Sequence, residues 1–111
     1  MKKIPDDIAP ILDELKVRLR EFYGEKLVKL VLFGSRARGD NDPDSDIDVL
    51  AVFDTSKEDA EKMPYPTDII RDILERTDRL VFVLELDEES YKIRQGPLLR
   101  NIRRAGVAFE Y

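Results

Sequence analysis

Two near-continuous apolar runs, Leu27 to Phe33 and Ile47 to Phe53, stand only thirteen residues apart, and this short spacing limits what the chain can fold into. Apolar side chains on both faces of a strand suit a central position that is covered on each side. The intervening stretch, Gly34 to Asp46, is too short for a comfortable parallel crossover carrying a full helix. The runs therefore predict an antiparallel pair of strands, joined through a turn and a helix of one or two turns.

Around that pair the chain alternates helical and extended patterns. Ile8, Ile11, Leu12, Leu15, Leu19 and Phe22 recur at helical spacing, with Asp6 or Asp7 as a cap and Gly24 as the stop. Asp54 to Pro66 is polar, is broken by Pro64 and Pro66, and predicts a mobile loop. Thr67 then caps a helix through Arg76, with Ile69, Ile70, Ile73 and Leu74 turned inward. Leu80 to Leu86 predicts a third strand. Two short helices follow, Asp87 to Gln95 and Pro97 to Arg104, the second opening on a proline at a favoured first-turn position. Gly106 stops it, and Val107 to Phe109 can add an edge strand. The expected fold is α/β (α+β), a small mixed or antiparallel sheet with helices packed on it. Residues 1–111 are expected to form a single domain.

Composition removes several function classes. There is no cysteine and no histidine, so thiolate and ordinary zinc sites are excluded, as are Ser-His and Cys-His nucleophiles. Any metal must be held by oxygen, which favours magnesium, manganese or calcium. A net charge of −5 disfavours generic binding to a nucleic-acid backbone. No apolar run approaches membrane-spanning length, so a soluble, unexported, cytoplasmic protein with no membrane association is expected.

The chemistry-bearing residues lie between the two runs. Gly34-Ser35 follows the first strand directly. A turn of this kind that opens a helix presents backbone N–H groups lacking intrahelical partners, which together form an anion site. Gly34, without a Cβ, lets a phosphate approach closely, and the Ser35 hydroxyl can donate to it. Asp46 and Asp48, two apart at the start of the second strand, point to one face while Ile47 points to the other. Carboxylates held about 4 Å apart repel by about 4 kcal/mol at an effective dielectric near 20. A divalent cation is the natural counter-charge. The acids at alternate positions from Asp40 to Asp48 do not make an EF-hand loop, because Gly and Glu are missing at the required places.

Gly34-Ser35, ten residues, then Asp46-x-Asp48 resembles the G-S-x10-D-x-D signature of the polymerase-β-like nucleotidyltransferase superfamily. Arg36-Ala37-Arg38-Gly39-Asp40, Ser45 to Val49 and the ending Pro97 to Arg104 with Gly106 resemble its minimal nucleotidyltransferases (MNT family). The resemblance implies nucleotide binding by Gly34, Ser35 and Arg36, with the β and γ phosphates of ATP on the Gly-Ser turn. It implies catalytic, metal-binding carboxylates at Asp46 and Asp48, holding two Mg2+ ions, or Mn2+. The third carboxylate of the family lies on the next strand, where many relatives have Asp near the start and this chain has Val81 or Phe82. Glu85, the one acid inside that strand, is the expected third ligand and shares a face with Val81 and Val83. Transfer of AMP from ATP to a hydroxyl of a partner protein is implied, the partner being a HEPN-family toxin and this chain its antitoxin. No acceptor-binding domain is expected here, so the acceptor comes from the partner or from another subunit of a homo-oligomer. A module that neutralises its partner by contact alone is the alternative, with Leu98, Leu99 and Ile102 beside Arg100, Arg103 and Arg104 as a docking face.

Overall fold

The computed structural model describes residues 6–34, 46–54, 65–93 and 96–110. Helix α1 (Ala9–Tyr23) passes through a single 3-10 turn (Gly24–Lys26) into β1 (Leu27–Phe33). Then come β2 (Ile47–Phe53), α2 (Thr67–Thr77), β3 (Val81–Asp87), α3 (Glu88–Ile93), α4 (Pro97–Ala105) and β4 (Val107–Glu110). The four strands form one mixed sheet in the order β3-β2-β1-β4. The β1–β2 and β1–β4 pairs are antiparallel, while β3 runs parallel to β2 after the crossover through α2. The two apolar runs thus take the interior positions that their doubly apolar character predicts.

Strand alternation divides the sheet into two faces. Leu30 and Leu32, Ile47, Val49 and Ala51, and Val81 and Val83 face one side, where they pack with Leu12, Leu15 and Leu19 of α1 and Ile69 and Ile73 of α2. Val31 and Phe33 with Leu50 and Val52 face the other, against Leu99 and Ile102 of α4, with Leu84, Leu86 and Tyr91 of α3 at the margin. Each fully buried aliphatic side chain contributes about 1.5–3 kcal/mol, so both faces hold the sheet in place. An ion network also ties α1 to α2. Arg18 reaches Glu14 at 3.0 Å and Asp72 at 2.6 Å, and Arg76 bonds both Asp72 and Glu14. Outside the sheet's β3 edge, the Tyr65 hydroxyl donates to the Val83 carbonyl at 2.7 Å and accepts from the Val83 N–H at 3.0 Å.

Several local expectations are corrected. The residue before α1 is Ile8, whose side chain is fully buried and makes no capping bond, and Asp7 instead lies 3.5 Å from Arg79. Burial of an apolar anchor outweighs the propensity of aspartate for the cap. Likewise Pro66 holds the position before α2, and Thr67 is its first helical residue. Leu74 is 37 % exposed rather than inward, because the short α2 turns only Ile69 and Ile73 fully onto the sheet. The connecting helix expected after Gly34 and the loop between residues 55 and 64 lie outside the described residues.

Candidate active site

Gly34 ends β1 with φ at +77°, a left-handed conformation that glycine adopts without a Cβ clash. The last pair of the β1–β2 ladder is Phe33 opposite Asp48, so Asp48 stands beside that turn. The approach is close: a Cβ on Gly34 would fall 2.4 Å from Asp48 Oδ2. Thus a glycine is required at this corner twice over, by its φ and by the carboxylate lying against it. Burial pushes the Asp48 carboxyl up from its ordinary value, and the negative charge of Asp46 pushes it further. Asp46 is exposed and lies just before β2, where the Ile47 N–H donates to the Leu80 carbonyl at 2.9 Å.

Asp48 and Gly34 form one wall of a cleft of about 340 Å³ between the sheet and α4. Leu98, Asn101, Ile102 and Arg104 form the other wall. The position of α4 is tightly defined by Gly106, where a Cβ would lie 2.5 Å from the Ile102 carbonyl oxygen and 2.6 Å from Val31 Cγ1. Close approach of helix to sheet at this point sets the width of the cleft. Arg104 and Asn101 are contributors that hydrophobic periodicity left out. Their signal was a polar pair three residues apart on a helix whose Leu99 and Ile102 face the core.

Glu85 does not join this constellation. It alternates with Val81 and Val83 and so faces α1, whereas Asp48 alternates with Leu50 and Val52 on the α4 face. There the buried Tyr23 hydroxyl donates to Glu85 Oε2 at 2.6 Å. Burial pushes the Glu85 carboxyl up, an effect the Tyr23 bond opposes. Burial, and after it the bond to Glu85, drives the Tyr23 hydroxyl strongly upward. The expected third ligand is therefore a structural partner of Tyr23 on the wrong face of the sheet for metal. The residue paired with Asp48 across the β2–β3 ladder is Phe82, 46 % exposed, on the same face as Asp48. Ser35 and Arg36 lie outside the described residues.

The donor set can be compared with the metal it was expected to hold. Among the described residues, no three His, Cys, Asp or Glu side chains converge on one point. Asp48 and Asp46 supply hard oxygen donors whose mutual repulsion a cation would relieve. Mg2+ keeps several waters and is commonly held by one or two carboxylates plus substrate phosphates. The two acids fit one such ion shared with a triphosphate.

The mixed four-stranded sheet with helices on both faces defines a class of protein, and known structures share that fold. The fold superimposes on a crystal structure, provisionally named a nucleotidyltransferase, from Sulfolobus solfataricus. The TM-score is 0.52 at 29 % identity, covering 90 % of this chain and 79 % of that one. It also superimposes on a toxin–antitoxin crystal structure with AMP-PNP, with a TM-score of 0.54 at 18 % identity, covering 83 % and 67 %. Residues 12–103 match the nucleotidyltransferase domain family, and the chain belongs to that family. A protein of Methanocaldococcus jannaschii that carries the provisional name of a protein adenylyltransferase is 46 % identical over 46 residues, which are 41 % of this chain. The match spans less than half of that relative, 46 % of its length.

Proposed function

We propose that this chain is a single-domain, metal-dependent nucleotidyltransferase of the cytoplasm that transfers AMP from ATP to a hydroxyl of a partner protein. The observation that carries this is the contact of Gly34 with Asp48 at the mouth of the cleft. A corner without a side chain, beside a carboxylate that burial and Asp46 make costly to ionise, suits a triphosphate and its divalent cation. Family membership supports the reaction class. The adenylyltransferase name of the M. jannaschii relative supports AMP as the transferred group and protein as the acceptor. The toxin–antitoxin neighbour with AMP-PNP supports a toxin as the partner, for which a HEPN-family protein is our choice.

In this scheme the Gly34 turn and the Ser35 hydroxyl would hold the phosphates, while Asp46 and Asp48 would hold Mg2+. When bound, the ion supplies positive charge to the reacting phosphate oxygens. The acceptor oxygen attacks the α-phosphorus in line and its hydroxyl proton passes to water, while the bond to the bridging oxygen breaks and pyrophosphate leaves, taking the electron pair. The protein contributes alignment and charge, with little covalent work.

Phe82 opposite Asp48 favours one second reading: a module that neutralises its toxin by contact and has no transferase activity. Labelled ATP, Mg2+ and the co-purified partner separate the two. Transfer gives labelled partner, and Asp48→Asn abolishes the label while leaving the complex intact. If Asp48→Asn still neutralises the partner as fully as the parent does, contact is the function and transfer is not.

A further inference from the structure

We infer that Arg104, oriented by Asn101, grips the phosphates of the bound nucleotide from the α4 side of the cleft. This rests on the nucleotidyl-transfer proposal and extends it to residues outside the Gly-Ser and Asp-x-Asp segments. The cleft of about 340 Å³ has Asp48 as the one anion and Arg104 as the one cation among its described lining residues. The α4 wall of the cleft runs from Leu98 and includes the last turn of the helix, ending at Ala105. Helix C-termini carry partial negative charge from their unbonded carbonyls. Without a cation, therefore, both that wall and Asp48 would repel a triphosphate.

Arg104 reverses the sign of the α4 wall. Its guanidinium donates to Asn101 Oδ1 at 3.0 Å, one turn earlier on the same helix. A guanidinium presents its N–H donors in a fixed, planar fork. A planar fork with its orientation set in advance suits bidentate contact with phosphate oxygens. The close seating of Gly106 on Val31 and on the Ile102 carbonyl fixes α4, and with it the span between Arg104 and Asp48. The cleft is thus clamped from two sides, by backbone and carboxylate-held cation at the sheet and by guanidinium at the helix.

The test compares four probes on the full chain in Mg2+: ATP, GTP, inorganic tripolyphosphate and adenosine, each titrated by calorimetry. Arg104→Gln should weaken ATP, GTP and tripolyphosphate by at least tenfold and by a common factor, and leave adenosine unchanged. Arg104→Lys should recover part of that loss, since charge remains while the fork is gone. Asn101→Ala should cost a few-fold in the parent and nothing further in the Arg104→Gln background. Unchanged unfolding midpoints exclude collapse of α4, as expected for an exposed side chain. Undiminished ATP binding in Arg104→Gln would overturn the inference. A loss confined to one base or shared by adenosine would do the same. A parent chain that binds neither ATP nor tripolyphosphate would instead overturn the nucleotidyl-transfer proposal itself.

Discussion

Replacing Gly34 with alanine tests whether the corner and the carboxylate are coupled as their positions require. Two separate penalties apply. A left-handed residue other than glycine costs about 1–2 kcal/mol, here at φ +77°. The second is steric, since the new methyl would fall 2.4 Å from Asp48 Oδ2. Overpacking of this kind costs typically about 1–3 kcal/mol when neighbours must shift. Reduced freedom of the unfolded chain opposes both by about 0.4–1 kcal/mol. The net expectation for Gly34→Ala is a loss of roughly 1–5 kcal/mol, a substantial part of a small domain's stability. The two penalties separate in a double-mutant cycle with Asp48→Ala, which removes the obstructing carboxylate and leaves the backbone strain. Urea unfolding of the four proteins should give a coupling energy of about 1 kcal/mol or more, with Gly34→Ala milder in the Asp48→Ala background. Strict additivity would refute the reasoning, because it would mean that the carboxylate does not lie against the corner in solution.

Asp48→Asn should raise the unfolding midpoint at neutral pH without divalent metal. The folded state raises the Asp48 carboxyl through burial and the charge of Asp46, so stability associated with its protonated form is lost as pH rises through the raised value. The gain should vanish below about pH 3, under the ordinary aspartate value, and a gain independent of pH would contradict the assignment. Glu85→Gln should leave Mg2+ and ATP affinity unchanged, since Glu85 faces α1. Tyr23→Phe should cost about 1 kcal/mol or more of stability by leaving that carboxylate without its donor. Mg2+ titration and chemical unfolding check both, and weakened Mg2+ binding in Glu85→Gln would reverse the face assignment. Phe82→Asp adds a carboxylate on the Asp48 face and should tighten Mg2+ by roughly tenfold, about the worth of a charged contact of 1.5 kcal/mol. Unaltered Mg2+ binding in that variant would place residue 82 outside the site.

The partial legibility of this fold follows from the range over which each signal acts. The central strands were readable because Leu30 to Phe33 and Val49 to Phe53 are apolar on both faces, which is a local property. The pairing of Gly34 with Asp48 followed from a glycine turn and an Asp-x-Asp alternation, once the two strands were antiparallel neighbours. Glu85 was different. Its own strand gave its parity correctly, alongside Val81 and Val83, but not which face of the sheet that parity meets. That depends on the β2–β3 register, in which Asp48 lies opposite Phe82 and Ala51 opposite Glu85. Register between strands joined by a long crossover is a tertiary property, and a shift of one place exchanges the faces. Asn101 and Arg104 were hidden for a similar reason, since nothing local to α4 reveals which strand end it covers. The helix starts at Ile8 and Pro66 were missed where burial and the prolyl backbone overrode side-chain capping.

Tyr65 has a bearing on how the molecule meets its own kind. A bare sheet margin invites a foreign strand to zip along it, and a concentrated solution of such chains drifts toward fibrils. By engaging both main-chain groups of Val83 with a single phenol oxygen, the chain interrupts that zipper at its midpoint. Lateral growth from β3 is thereby blocked at one tooth.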